Sequence, residues 1–324
     1  MMPVADPASK MLDRAESVAA AGNRSGRTLP RGGSIGYAAG YVQRIFVGDV
    51  QGCADELEEI LSRARAHFGE DWELWVVGDL VNRGPHNLRA LRLVREQVEA
   101  GRAHYVLGNH EIHLLESALG VREPSRWDSF HDVLDSPELD SWVEWLSARP
   151  LAVATRQGGQ DLVMLHASAH PDWTLEDLLA HAEAAAAPLR GDRETLRAWL
   201  APTAPRDPAR DDLHRLTRGR SVRPDGRWSS EVPGPDGDGV AWHREWSRRG
   251  HAFGIVYGHW SLQGLHVAKG LRGLDTGCVH HGRGKQGFLT AWLPDPRLER
   301  PFEVPDSAFW QIPARQNYYG HRDA

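Results

Sequence analysis

In this 324-residue chain, Asp49 and Gln51, Asp79, Asn109 and His110, His166 and His259 each stand just after a short apolar run. All offer oxygen or nitrogen donors, and no thiol is among them. Such a set suits hard or borderline divalent ions such as Mn²⁺, Mg²⁺, Co²⁺ or Fe²⁺ better than structural zinc. Two-metal hydrolysis needs a carboxylate able to bridge ions about 3.5–4 Å apart, and Asp79 holds the central position for that role. Taken alone, His166 or His259 would read as a hydrogen-bonded core histidine. It is the regular recurrence of donors that argues for chemistry.

The apolar runs that precede these residues are Ile45-Phe46-Val47, Leu74-Trp75-Val76-Val77, Tyr105-Val106-Leu107 and Leu162-Val163-Met164-Leu165. Their length and β-branched content predict buried strands. Helical patterns over residues 54–68 and 87–100, and another starting at Glu111, separate the first three. Strand, loop and helix in alternation predict an α/β layered sheet, with ligands gathered at the carboxyl ends of its strands. Residues 124–148 continue helical, with Trp142 and Trp145 at helical spacing. A polar block over 170–240 combines an Ala-rich helix at 175–187 with a Pro/Gly/Asp/Arg-rich loop at 201–239, and reads as a cap inserted into the sheet domain. Strand texture returns at 254–257, 265–267, 270–274 and 288–292, and residues 296–324 read as an irregular tail. Residues 1–43 read as a flexible extension. Its glycine stretch 33–40 has no strand before it, so it is a poor nucleotide-binding loop.

Composition narrows the partners. Apolar residues make up 41% and charged residues 25%, which excludes disorder throughout. The net charge of −6 disfavours stable nucleic-acid binding. Two cysteines, Cys53 and Cys278, are too few for a disulfide framework and read as small buried hydrophobes in a cytoplasmic protein. The sequence contains no run of roughly 18 apolar residues that would span a membrane, and residues 1–43 read as neither a secretory signal nor a transit peptide. Oligomeric state is not legible.

Five motifs in order, GDVQG at 48–52, GDLVNRG at 78–84, GNHE at 108–111, Leu165-His166-Ala167 and Tyr257-Gly258-His259, resemble the signatures of the calcineurin-like metallophosphoesterases. The first three fall at about thirty-residue intervals. The flanks GDVQGCADELEEIL, LGNHEIHLL, LHASAHPDW, YGHW and LDTGC narrow the resemblance to the symmetrical diadenosine tetraphosphatase branch, over roughly residues 44–295.

The resemblance implies a layered αββα sandwich and two divalent metal ions, Mn²⁺ foremost. Asp49, Gln51 and Asp79 would hold one ion, and Asp79, Asn109, His166 and His259 the other. It implies hydrolysis of diadenosine tetraphosphate (Ap4A) and related dinucleoside polyphosphates to two nucleoside diphosphates, by a hydroxide activated between the ions. His110 would be the general acid and Arg83 the clamp on the phosphoryl oxygens. Asn82, Arg218, Arg220, Trp260 and Asp275 would face substrate, and Trp173, Trp242, Trp246 or Trp260 could stack adenine.

Gln51 departs from the superfamily's usual His and is a weaker ligand. Asn82 stands where protein phosphatases place the Asp that orients the histidine, a change that favours a leaving group needing little acid help. The alternatives are a protein Ser/Thr/Tyr phosphatase or a decapping enzyme for dinucleoside-polyphosphate RNA caps, and, in another class, a nucleotide-sensing module with impaired catalysis. His104 and His113 read as structural or exposed, His280 and His281 as a solvated turn, and residues 206–220 as a solvated charged loop.

Overall fold

The structure, a computed structural model, describes residues 42–203, 207–234, 239–303 and 308–318. The extension and its glycine stretch lie outside the described residues up to position 41, and Gln43 already belongs to the first strand.

Two five-stranded sheets form the body. The first has the order β13-β12-β1-β2-β3. Its parallel members β1 (Gln43–Val47), β2 (Trp72–Val76) and β3 (Ala103–Tyr105) are flanked by β12 (Phe288–Trp292), antiparallel to β1, and then β13 (Phe309–Pro313), antiparallel to β12. The second has the order β10-β11-β9-β5-β4. In it β5 (Gln160–Leu165), β9 (Gly254–Tyr257) and β11 (Leu271–Gly273) are parallel, edged by antiparallel β4 (Ala152–Gln157) and β10 (His266–Ala268).

Alternation along the strands builds the layers. Phe46, Trp75, Leu162, Met164 and Val256 come together with Leu274, Trp292 and Phe302 in one apolar cluster between the sheets. Their neighbours Ile45, Val47, Leu74, Val76, Val163, Leu165, Ile255 and Tyr257 belong to the larger cluster shared with the helices. Helices α1 (Ala54–Phe68), α2 (Asn87–Glu99), α3 (Asn109–Ala118), α4 (His131–Leu134) and α5 (Leu139–Ser147) follow strands of the first sheet. Helix α1 forms because Leu57, Ile60, Leu61 and Ala64 recur on one face, and that face is buried. The result is the expected α/β sandwich with helices outside.

The stretch read as a cap lies between β5 and β9. It holds α6 (Leu175–Ala186), α7 (Arg193–Leu200), α8 (Pro208–Arg218), a small sheet of β6 (Ser221–Val222), β7 (Trp228–Ser229) and β8 (Val240–Ala241), and then α9 (Trp242–Arg249). Two expectations need correction. The part of the stretch 206–220 that is described, 207–220, is not a solvated loop: Asp207 caps α8 by accepting from the Ala209 N–H at 3.0 Å, Pro208 occupies its first turn, and Leu213 and Leu216 are buried. Nor is the tail irregular throughout, because β13 pairs with β12 along five residues, burying Ile312.

Candidate metal-dependent phosphoesterase site

The carboxyl ends of β1, β2, β5 and β9 point their following loops at one place. The backbone there is unusual. Among the described residues, the non-glycine positions with left-handed φ are Gln51, Asp79, Asn82, Arg83 and His259, all candidates from the sequence. Such conformations cost of order 1–3 kcal/mol each and persist where the surroundings fix them. The glycines of the motifs explain themselves by close approach. A Cβ on Gly108 would sit 2.1 Å from Asp79 Oδ1, and one on Gly258 2.0 Å from Asp49 Oδ1.

His166 Nδ1 lies 2.9 Å from the Val77 carbonyl, and His259 Nε2 lies 3.2 Å from the Arg218 carbonyl. Each of these nitrogens faces an acceptor and so carries the ring hydrogen, leaving the opposite nitrogen bare. Those bare nitrogens converge on acceptors. His166 Nε2 is 3.2 Å from Asn109 Oδ1 and 3.4 Å from Asp79 Oδ2, while His259 Nδ1 is 2.8 Å from the same Asn109 oxygen. Lone pairs facing lone pairs at these distances are relieved either by a cation among them or by an Asn109 amide that turns its NH2 to both rings. Ligand atoms of Asp49, Asp79 and His166 all lie within 4.8 Å of one another. The donor set therefore fits a bound cation.

The electrostatics agree. Burial first, then the neighbouring carboxyls Asp275 and Asp79, pushes the Asp49 carboxyl well above its ordinary range. Burial pushes Asp79 up to about 7, although the His110 N–H, the Gln51 side chain and Arg83 work against it. Asp275 is raised for the same first reason. Three buried carboxyls crowded together call for positive charge.

Around them runs a cavity of about 410 Å³ whose wall includes Gln51, Asp79, Asn109, His110, His259 and Asp275, together with the guanidinium-bearing Arg83, Arg220 and Arg283. His110 donates its N–H to Asp79 Oδ1 at 2.9 Å, and its ring is held by Asn82. The Asn82 amide has one possible orientation. Its Oδ1 accepts from the N–H groups of Arg83 and Ser129, at 2.8 and 3.0 Å, so its Nδ2 must be the group that faces Asp128 Oδ1 at 2.7 Å and His110 Nδ1 at 2.9 Å. An amide nitrogen only donates, so His110 Nδ1 accepts and its Nε2 carries the hydrogen. Burial, reinforced by His113 and Arg83, holds His110 well below its usual pKa and hence neutral.

Some candidates are placed elsewhere. Arg218 offers only its carbonyl, to His259; its guanidinium lies 3.9 Å from Glu116 and is not part of the cavity wall. Trp260 is buried with its ring 5.7 Å from His243, outside the wall, because the turn after His259 folds it into the protein. Trp173, Trp242 and Trp246 are also absent from the wall, and Trp127 is the tryptophan that lines it. His280 and His113 are wall residues instead of solvated or structural ones; burial lowers them to about 4 and about 3.

The reading of residue types also passed over Glu111. Its carboxylate, fully buried, accepts from the backbone N–H of Asp79, Leu80, Val81 and Gly108 at 2.8–3.3 Å, and so fixes the loop that carries Asp79. A Glu at the third position of a helix, three residues after Gly108, was the available signal.

An αββα sandwich with such a donor cluster at its strand ends defines the calcineurin-like phosphoesterases: residues 44–259 match that family, and the chain belongs to it. It is 38% identical over 250 residues to the symmetrical bis(5'-nucleosyl)-tetraphosphatase of Ralstonia nicotianae, covering 73% of this chain and 86% of that protein. It is 35% identical over 271 residues to the Vibrio cholerae protein of the same name, covering 77% and 98%. A crystal structure provisionally assigned as a diadenosine tetraphosphatase superposes with a TM-score of 0.56 at 22% identity, covering 86% of this chain and 96% of that one, which bears on the fold alone.

Proposed function

We propose that the chain hydrolyses Ap4A and related dinucleoside polyphosphates symmetrically, releasing two nucleoside diphosphates. The observation that carries the reading is the convergence of bare acceptors from Asp79, Asn109, His166 and His259 beside a wall bearing three guanidinium groups. With the relatives of that name, it points to a metal-dependent hydrolase acting on a phosphate-rich small molecule. Asp79, Asn109, His166 and His259 would hold one divalent ion, and Asp49, Gln51 and Asp79 a second, Mn²⁺ in our reading. Bound there, such ions supply Lewis-acid charge and a water that ionises near neutral pH.

The protein's own groups do the rest. Arg83, Arg220 and Arg283 bind and orient the tetraphosphate. His110 presents its Nε2–H to a phosphoryl oxygen, and Asn82 keeps that hydrogen on the outward nitrogen. A neutral histidine is a modest acid, enough for ADP, which departs as a stabilised phosphate anion, and poor for a serine alkoxide. That contrast favours a polyphosphate over a phosphoprotein. We place the reaction in the cytoplasm, where Cys53 and Cys278, free thiols in the structure, stay reduced. Among the described residues no helix is long and apolar enough to cross a membrane.

The test is to incubate the protein with Ap4A and Mn²⁺ and chromatograph the products, beside a phosphoserine peptide and an Ap4A-capped RNA. ADP as the sole product supports the reading. AMP plus ATP overturns the point of attack, and faster turnover of the peptide or the RNA replaces the substrate. Asp79→Asn should abolish turnover with its circular dichroism intact; near-wild-type activity would sink the assignment of the metal ligands.

A further inference from the structure

The cysteines of the chain, Cys53 and Cys278, come from opposite ends of the domain and are 0% and 1% exposed. They share their pocket with Glu56, also 0% exposed, and one ligand atom from each of the three lies within 4.8 Å of the others. The Glu56 carboxylate is half used. Its Oε1 accepts from the Arg315 N–H at 2.7 Å and the Tyr318 hydroxyl at 2.6 Å, whereas its Oε2 is buried with no hydrogen-bond partner. A buried carboxylate oxygen left without a donor is costly and calls for a partner. Neither of the neighbouring sulfurs makes a hydrogen bond to it.

We propose that Cys53, Cys278 and Glu56 form a second, structural metal site for a borderline-soft divalent ion, Zn²⁺. Thiolates select such ions over Mn²⁺ and Mg²⁺, so this site differs in kind from the thiol-free one. Zinc binds sulfur at about 2.3 Å and carboxylate oxygen at about 2.0–2.2 Å, which sets ligand atoms about 3.5–4 Å apart. The three atoms need only a small inward shift to meet that. The Tyr318 hydroxyl, already against Glu56 and the Cys53 sulfur, is the neighbouring fourth oxygen.

Two thiolates and a carboxylate around one dication leave a single negative charge, and Cys53 places it at the N-terminus of α1, where the helix dipole favours an anion. Each thiol gives its proton to solvent as its bond to zinc forms. The ion would tie three pieces together. Cys53 lies two residues after Gln51, Cys278 three after Asp275, and Glu56 with Tyr318 holds the C-terminal segment.

Cobalt distinguishes the two sites, because only thiolate ligation gives intense near-ultraviolet charge transfer to Co²⁺. The full chain, reduced, stripped with chelator and reloaded with Co²⁺ under nitrogen, should show that band. It should persist in Asp79→Asn, whose hydrolytic activity is gone, and vanish in the Cys53→Ala, Cys278→Ala double variant. Should the double variant not fold, Glu56→Gln is the second test, with the band shifted or weakened. A Co²⁺-loaded protein whose two thiols titrate freely under denaturing conditions and whose spectrum lacks the band overturns the proposal. So does a mass lower by the two hydrogens of a Cys53–Cys278 disulfide in protein purified without reductant and unable to take up zinc after reduction.

Discussion

Asn82→Asp probes the polar chain behind the presumed acid with almost no change of shape, and Asp tolerates the left-handed φ of 79° about as well as Asn. The new oxygen would lie 2.7 Å from Asp128 Oδ1 and 2.9 Å from His110 Nδ1, facing acceptors on both sides. Two carboxylates 2.7 Å apart repel by about 6 kcal/mol at an effective dielectric of 20, equivalent to about four pH units. Arg122, paired with the other Asp128 oxygen, absorbs part of this. One proton must therefore enter the trio, and His110 Nδ1 is the base placed to take it. The expected result is a His110 pKa moved upward from its depressed wild-type position, with the ring protonated at neutral pH.

Nitrogen-detected NMR of the Mg²⁺-loaded, histidine-labelled protein checks it: at pH 7 the wild-type Nδ1 should be bare and Nε2 protonated, and in the variant both should carry hydrogen. The sign of the stability effect follows. A group whose folded pKa is raised stabilises the fold below pH 6.5 and loses that contribution as pH climbs through the new value. Turnover of Ap4A should change less than about tenfold, or about 1.4 kcal/mol, since ADP needs little protonation, while alkyl phosphate esters gain relative to it. A wild-type His110 that carries its proton on Nδ1, or a variant ring indistinguishable from wild type, would refute the reasoning.

Glu111→Gln replaces one of two accepting oxygens by a donor and orphans two of four backbone N–H groups. At pH 8, above its pKa of about 7, this should cost about 3–6 kcal/mol, read as a lower urea midpoint, and an unchanged midpoint counts against the clamp. Arg220→Ala should raise KM for Ap4A about 10-fold or more with an unaltered melting temperature, whereas Arg218→Ala should lower the melting temperature and spare KM. The reverse pattern would return Arg218 to the substrate. The metal-free protein should lose stability on acidification. Ten described histidines are lowered, chiefly by burial, and take up protons on unfolding below pH 6.5, down to about 4 for His166, His214, His243 and His280. Six raised carboxyls act oppositely, losing stability as pH rises through their folded values, but they are fewer. A urea midpoint that rises between pH 6.5 and 5 would reverse this balance.

Position along the chain explains what could be read without coordinates. The candidate ligand residues other than Gln51 stand out in the sequence because each sits one or two places after an unbroken apolar run such as Ile45-Phe46-Val47, so strand and donor announce each other locally. Strand β4, AVATRQ, lies on an edge with alternating exposure, and no run marks it. Helix α8 hid behind its five charged residues and His214 in PARDDLHRLTR, although Asp207-Pro208 was a start signal and Leu213 and Leu216 lie three apart on its buried side. Trp127, Asp128 and Ser129 had no local sign at all. They reach Arg83 and Asn82 across 44–47 residues, and only the folded chain shows that Arg83 is braced on the Trp127 carbonyl and Asn82 on Asp128.

A mildly acidic protein can still suit a polyanionic substrate. The −6 belongs to the whole chain, but Asp49, Asp79 and Asp275 are withdrawn from solvent and their charge is available only to a cation seated among them. The cavity wall also carries Arg83, Arg220 and Arg283. Left-handed backbone at Gln51, Asp79, Asn82, Arg83 and His259, at about 5–15 kcal/mol in total, is concentrated in the loops that carry the site. Strain and buried like charge thus sit at one point of an otherwise regular sandwich. A cation seated among the carboxylates would offset their like charge.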